Sequence, residues 1–261
     1  EEVMNAAADA GCIGLTVGME SGNRDILRSI RKPGTVENFL RAGEVLNKIE
    51  QINARVFLMI GFPNESFSQI KDTIDVSTTM NLDWYNITIL QPLPNTVIFD
   101  QMLSDGLIGD ISFSDMGYNS GTHGKKVNKS GASRDPLSVD FKNAFSDKKL
   151  EEIPNKTDLD NVWAYMNYHL NFSRLFQENR KIKLDQQYKY VRNIADLVAP
   201  NNAFAIYFAA FLHHRLYYEV DHNLLDQFSK TISSNSYWKK RCKEFGLNAD
   251  HIKSNNYPLI D

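Results

Sequence analysis

The residues that could do chemistry cluster at three places, each directly after a short apolar run. Gly18-Met19-Glu20-Ser21-Gly22 follows Cys12–Val17, Gly61-Phe62-Pro63-Asn64-Glu65 follows Val56–Ile60, and Gln91-Pro92-Leu93-Pro94-Asn95-Thr96 follows Tyr85–Leu90. Runs this short, bounded by Gly and Pro, read as strands, and Val56–Ile60 as a strand buried on both faces. If the strands are parallel, all three polar clusters lie on one carboxyl-end rim, the usual place for a ligand site in an open or closed α/β sheet. A barrel enzyme working with its own pair of catalytic carboxylates is disfavoured, because the third cluster offers Gln91 where a second acid would be wanted. Plainer roles exist for the same residues. Glu20 can stabilise the start of the following helix, and Gly61-Phe62-Pro63 can be a tight turn.

The elements that must position these groups are readable in order. Residues 1–10 read as a helix ended by Gly11, placed where a left-handed conformation is needed. A short helix from Arg24 to Ile30 is broken by Pro33-Gly34, and Thr35 can cap the next, which carries Val36, Phe39, Leu40, Leu46 and Ile49 at helical spacing. Ser66 and Gln69 have capping-box spacing at the start of a third helix. Val97–Leu107 reads as a further amphipathic segment. Three strand–helix units in a row predict parallel pairing through right-handed crossovers.

The chain has 261 residues, 42% hydrophobic and 23% charged, with a net charge of −3. That is the composition of a globular protein with no electrostatic drive toward nucleic acid or anionic membrane. No run approaches membrane-spanning length and no signal peptide is evident, so a cytoplasmic location is expected. Cys12 and Cys242 alone exclude a disulfide framework or an all-cysteine metal site within the chain. No GxSxG motif is present to seat a nucleophilic serine. The chain opens at Glu1-Glu2-Val3 without Met, already in helical pattern, and reads as a piece of a longer protein.

Residues 109–157 read as an irregular linker, with a basic run at Lys125, Lys126, Lys129 and Arg134; Gly121-Thr122-His123-Gly124 lacks P-loop spacing. Residues 158–261 read as a helical, aromatic-rich domain. Within it, Lys183–Tyr218 has the look of a tetratricopeptide-type helix pair. The adjacent His213 and His214 point about 100° apart on a helix and cannot easily share one metal.

The first cluster with Ile26-Leu27 and Arg31-Lys32, the second with Phe57–Ser66, and Gln91–Thr96 are together similar to the segments after the fourth, fifth and sixth strands of radical S-adenosylmethionine (radical SAM) barrels. The nearest look-alikes often carry a cobalamin-binding domain. The resemblance implies an α/β fold: a partial (half) TIM-like parallel β/α barrel over residues 1–108, followed by the all-α domain. It implies S-adenosylmethionine and a 4Fe–4S cluster as cofactors. Cobalamin is a further expectation for the parent protein, on a domain upstream of residue 1. Carried over residue by residue, Glu20 and Ser21 would meet the ribose, since a carboxylate accepts well from a vicinal diol. Backbone around Ile60, Gly61 and Phe62 would face the adenine, Glu65 would brace the turn, and Gln91 and Leu93 would line the adenine side. In the family the cluster reduces S-adenosylmethionine to a 5′-deoxyadenosyl radical. The CxxxCxxC motif that holds the cluster is not in this sequence, so this chain alone is expected to be inactive. Asn64 and Asn95 stand where the family usually has Gly, and Asn is the residue that best tolerates left-handed backbone after Gly. The substrate, a small molecule or a peptide, is not readable. The alternative is a non-catalytic module whose helical domain binds a partner protein. An open, aromatic-lined concave face would favour it, and a face filled by the chain's own segments would not.

Overall fold

The computed structural model describes residues 1–106, 143–254 and 257. The 125–134 basic run and the Gly121–Gly124 stretch lie outside these residues. Three strands, β1 (Gly14–Glu20), β2 (Asn53–Ile60) and β3 (Trp84–Ile89), form one sheet in the order β1-β2-β3. Both pairings are parallel. The crossovers carry α2 (Arg24–Ser29) and α3 (Val36–Asn47) between the first two strands, and α4 (Phe67–Met80) between the last two. Helix α1 (Glu2–Asp9) precedes the sheet and α5 (Val97–Ser104) follows it. Thr35 with Asn38, and Ser66 with Gln69, close reciprocal capping boxes at α3 and α4. Gly11 takes the expected left-handed conformation, at φ +89°.

The sheet is not buried on both faces. Along β2, Ala54, Val56, Leu58 and Ile60 are buried, whereas Phe57 is 49% exposed and Arg55 and Met59 are half-buried. The buried side packs on Phe39, Leu46, Phe67 and Ile70 of α3 and α4. The continuous apolar run thus serves two environments: a packed core on one face, and a face that the described residues leave open at Phe57. Strand β1 is mostly half-buried or exposed, with Met19 its one buried residue.

After the sheet come α6 (Lys156–Asn167), a π-helical turn (Tyr168–Phe172), a 3-10 turn (Ser173–Phe176) and α7 (Lys181–Asn193). A second π turn (Ile194–Val198), α8 (Ala203–Tyr217), α9 (His222–Ser234), α10 (Ser236–Glu244) and α11 (Ala249–Ser254) complete the chain's described elements. Helix α6 runs back along the outer edge of β3. Trp163 Nε1 donates to the Ile87 carbonyl at 2.8 Å. Asn171 accepts from the Tyr85 amide at 2.7 Å and donates to the Tyr85 carbonyl at 2.9 Å, taking the place of a neighbouring strand. Ala144, Val162, Met166 and Leu170 belong to the same core as the sheet.

The second core surrounds α8, whose residues Ala203–Leu212 are all buried. Phe176, Phe204, Tyr207, Phe208 and Phe228 fill it, and Trp84 of β3 joins it through edge contacts with Phe172 and Tyr190. These aromatic residues are used inside the helical unit, whereas Tyr217 and Tyr218 at the end of α8 are exposed. The two units are locked at Asp83, just before β3. Its carboxylate accepts from the Ala54 amide, from Lys183 Nζ at 2.7 Å and from Gln187, and Lys183 also donates to the Ile52 carbonyl. Lys183 and Asp83 are both almost fully buried.

Candidate functional site at the carboxyl-end rim

All three polar clusters do end on the same rim, since the three strands run parallel in register. Each turn contains a left-handed residue: Glu20 at φ 68°, Gly61 at 83° with Asn64 at 60°, and Asn95 at 66°. The two asparagines occupy the conformation that their side chains tolerate. For Glu20, a non-Gly residue with a longer side chain, that conformation carries strain, which is held where surrounding structure over-determines it. The over-determination is visible. Ser21, fully buried, pairs its hydroxyl with Thr73 of α4 at 3.1 Å. The Gly22 amide donates to the same Thr73 Oγ1, and Asn23 donates to Asp72 at 2.6 Å. A Cβ on Gly22 would meet the Asp72 carbonyl at 2.7 Å, so only glycine lets the loop press this closely on α4.

The β1–β2 register shifts between Gly18 and Glu20, an irregularity of the kind that re-aims side chains near sites. The Glu20 carboxylate then lies over Gly18, beside Lys32 Nζ at 3.3 Å, with both side chains 27% exposed. A Cβ at Gly18 would crowd both charged groups. Glu20 does not cap the next helix; Asn23 does, accepting from the Asp25 and Ile26 amides. Its carboxylate is held by one lysine and remains accessible. Lys32, singled out in the sequence only as part of a motif, is its partner.

The other expected site residues divide. Ser21 is committed to α4 and has no exposed surface. Glu65 braces the second turn: its Oε2 accepts from the Gly61 amide at 2.6 Å and the Phe62 amide at 3.1 Å. Those two amides, and the Ile60 carbonyl that accepts from Leu90, are therefore engaged within the chain. The space beside Gly61 is used by the protein itself, because a Cβ there would meet Leu159 of α6 at 3.0 Å. Phe62 is buried. Leu93 is 55% exposed on the rim beside the half-buried Gln91. Glu65 is itself fully buried, and desolvation pushes its carboxyl up to about 7 against the pull of the two amides. Its Oε1 has no hydrogen-bond partner among the described residues.

The rim thus carries an accessible carboxylate at the end of β1, paired with Lys32, while the sheet exposes Phe57 of β2 and the third turn exposes Leu93. This is an arrangement for holding a polar molecule with an apolar part. Residues 1–76 match the family model described as the radical SAM superfamily. Residues 1–76 are thus similar to radical SAM proteins. That superfamily implies S-adenosylmethionine and a 4Fe–4S cluster as cofactors. The chain is also 28% identical over 108 residues to an uncharacterized methyltransferase of Pyrococcus horikoshii, covering 41% of this chain and 23% of that protein. It is 28% identical over 102 residues to the bacteriochlorophyllide d C-12(1)-methyltransferase of Chlorobaculum tepidum, covering 39% and 22%. The chain spans less than a quarter of the length of either relative.

The two cofactors fare differently against the residues present. Cys12 lies in the turn before β1 and Cys242 is buried in the helical core. Among the described residues no group of three His, Cys, Asp or Glu is placed to hold a metal. The radical SAM region described here has no ligand set for the cluster. S-adenosylmethionine fits in part, through Glu20 and the open face. His213 and His214 diverge, to the Glu219 carbonyl and to Tyr257. Among the described residues no helix is long and apolar enough to cross a membrane.

Proposed function

We propose that β1–β3 and their rim turns are the second half of a TIM-like barrel in a radical SAM enzyme, where they bind and orient S-adenosylmethionine. The observation that supports this best is Glu20: a strained, left-handed residue whose carboxylate is kept accessible on the rim and set by Lys32. It would accept from the ribose diol, Phe57 and Met59 would offer apolar surface, and Gln91 and Leu93 would border the adenine. Ser21 and Glu65 act behind the surface, one fixing the Glu20 loop to α4 and the other holding the Gly61 turn. These residues would shield and position the cofactor while the cluster, held by other parts of the protein, supplies the electron for radical formation. Both relatives are named methyltransferases, which supports methyl transfer as the reaction of the parent protein. Cobalamin remains part of that proposal, held outside these residues.

The test is titration of S-adenosylmethionine into the full-length protein after anaerobic cluster reconstitution. Glu20→Gln should weaken binding at least about tenfold, the scale of a lost charged hydrogen bond. Equal affinity would reduce the rim to a structural turn.

A further inference from the structure

At the opposite end of the strands, a cleft of about 700 Å³ separates the C-terminal end of α4 from the segment joining the π turn to α7. Its walls bring together Asn81, His169, Arg174, Gln177, Glu178 and Arg180. Nothing in the rim site uses these residues.

The charges in this cleft are unevenly matched. Glu178 is consumed by Arg180, through contacts to Nε at 2.9 Å and Nη2 at 2.7 Å. Asp83, close by, is consumed by Lys183. Arg174 has no carboxylate partner among the described residues. One of its terminal nitrogens donates to the Asp83 carbonyl, and its Nε is buried without a partner. Burial holds its guanidinium below the usual arginine range, with Asp83, Tyr85 and Glu178 acting against that and Arg180 with it. A cation left in that state is one whose desolvation a bound anion would offset. The fork of an arginine matches the geometry of a carboxylate or a phosphate. Burial pushes His169 down to about 4, so it adds no competing charge at neutral pH. Asn81 and Gln177 bring exposed amides to the two walls.

We propose that this cleft is a binding site for a small oxyanion, a carboxylate or a phosphate, seated on Arg174 between α4 and the helical unit. Because it contacts both units, binding stabilises their junction. The site stands apart from the rim and does not depend on its cofactor.

The experiment is thermal melting of the 261-residue chain in sodium phosphate and in sodium acetate, each against sodium chloride at equal ionic strength. A saturating rise in Tm with either oxyanion, absent in chloride, is expected; the arm that responds identifies the anion class. Arg174→Gln should abolish the rise. Gln177→Glu keeps Arg174 and changes an exposed side chain, so the fold should be retained while a carboxylate competes for the guanidinium. The apparent Kd should then rise at least about tenfold. No saturable rise in either oxyanion, or a rise that persists in both variants, overturns the site.

Discussion

Along β3 the outer backbone is met by side chains of α6 and the π turn, with Asn171 answering both the amide and the carbonyl of Tyr85. Along β1 no strand lies further out among the described residues, Gly14 and Thr16 are exposed, and Val3 and Ile13 stand 74% and 80% exposed nearby. An open edge is a row of unpaired donors and acceptors ready to pair with another chain. The contrast shows that closing an edge needs no further strand. One amide side chain held at the right height does it, and the helix that carries it also supplies apolar cover. Among the described residues the sheet is covered toward the helical unit and open along β1.

The sharpest way to break the sealed side is Asp83→Ala, which strands the buried Lys183 ammonium and the Ala54 amide. Urea unfolding should show a loss of about 3–5 kcal/mol, the cost of leaving one partner of a buried pair uncompensated. Next is Asn171→Leu, of similar volume but unable to bond Tyr85. Two orphaned backbone groups put the expected loss at about 2–4 kcal/mol. A result within experimental error of wild type would mean that water replaces Asn171 and that this edge is no better closed than the other.

Glu65 lies on the central turn, between the two edges, and tests stability by pH. Its folded value near 7 lies above the ordinary 4.5, so the folded protein binds the extra proton between those values. The sign follows: this contribution is fully present below about pH 4.5 and is lost as pH rises through about 7. Unfolding free energies from urea titrations at pH 5 and pH 8 should differ by about 1–3 kcal/mol more in wild type than in Glu65→Gln. The smallest effect belongs to the open side. Thr16→Lys should change stability by no more than about 0.5 kcal/mol. A large loss there would show that the β1 edge is covered in solution.

Local chemistry was legible in the chain. Thr35, Ser66 and Gln69 announce their caps, and Asn64 and Asn95 announce left-handed turns, because each depends on neighbours within a few residues. The bracing role of Glu65 follows from the family resemblance, and its carboxylate accepts from the Gly61 and Phe62 amides. The pairs that join the units were not: Asp83 with Lys183 and Tyr85 with Asn171 are 100 and 86 residues apart, and no periodicity links them. The apolar run at Val56–Ile60 misled because hydrophobicity records a tolerance for burial, not whether something lies against each face. The family resemblance places Ser21 beside a ligand together with Glu20, whereas the fold turns its hydroxyl inward to Thr73.

The π turn at Tyr168–Phe172 has a genetic corollary. A π turn holds one residue more than the α turn it replaces, so removing a single codon there would restore an ordinary helix. The π turn absorbs its extra residue without turning the chain that follows, so the segment after it would keep roughly its facing relative to α6. Trp163, upstream of the turn, would keep its bond to Ile87, and Arg174, downstream, would stay on the side of the Asp83 carbonyl. A one-residue deletion in this turn that spares Asn171 would therefore be tolerated better than the same deletion in the middle of α8.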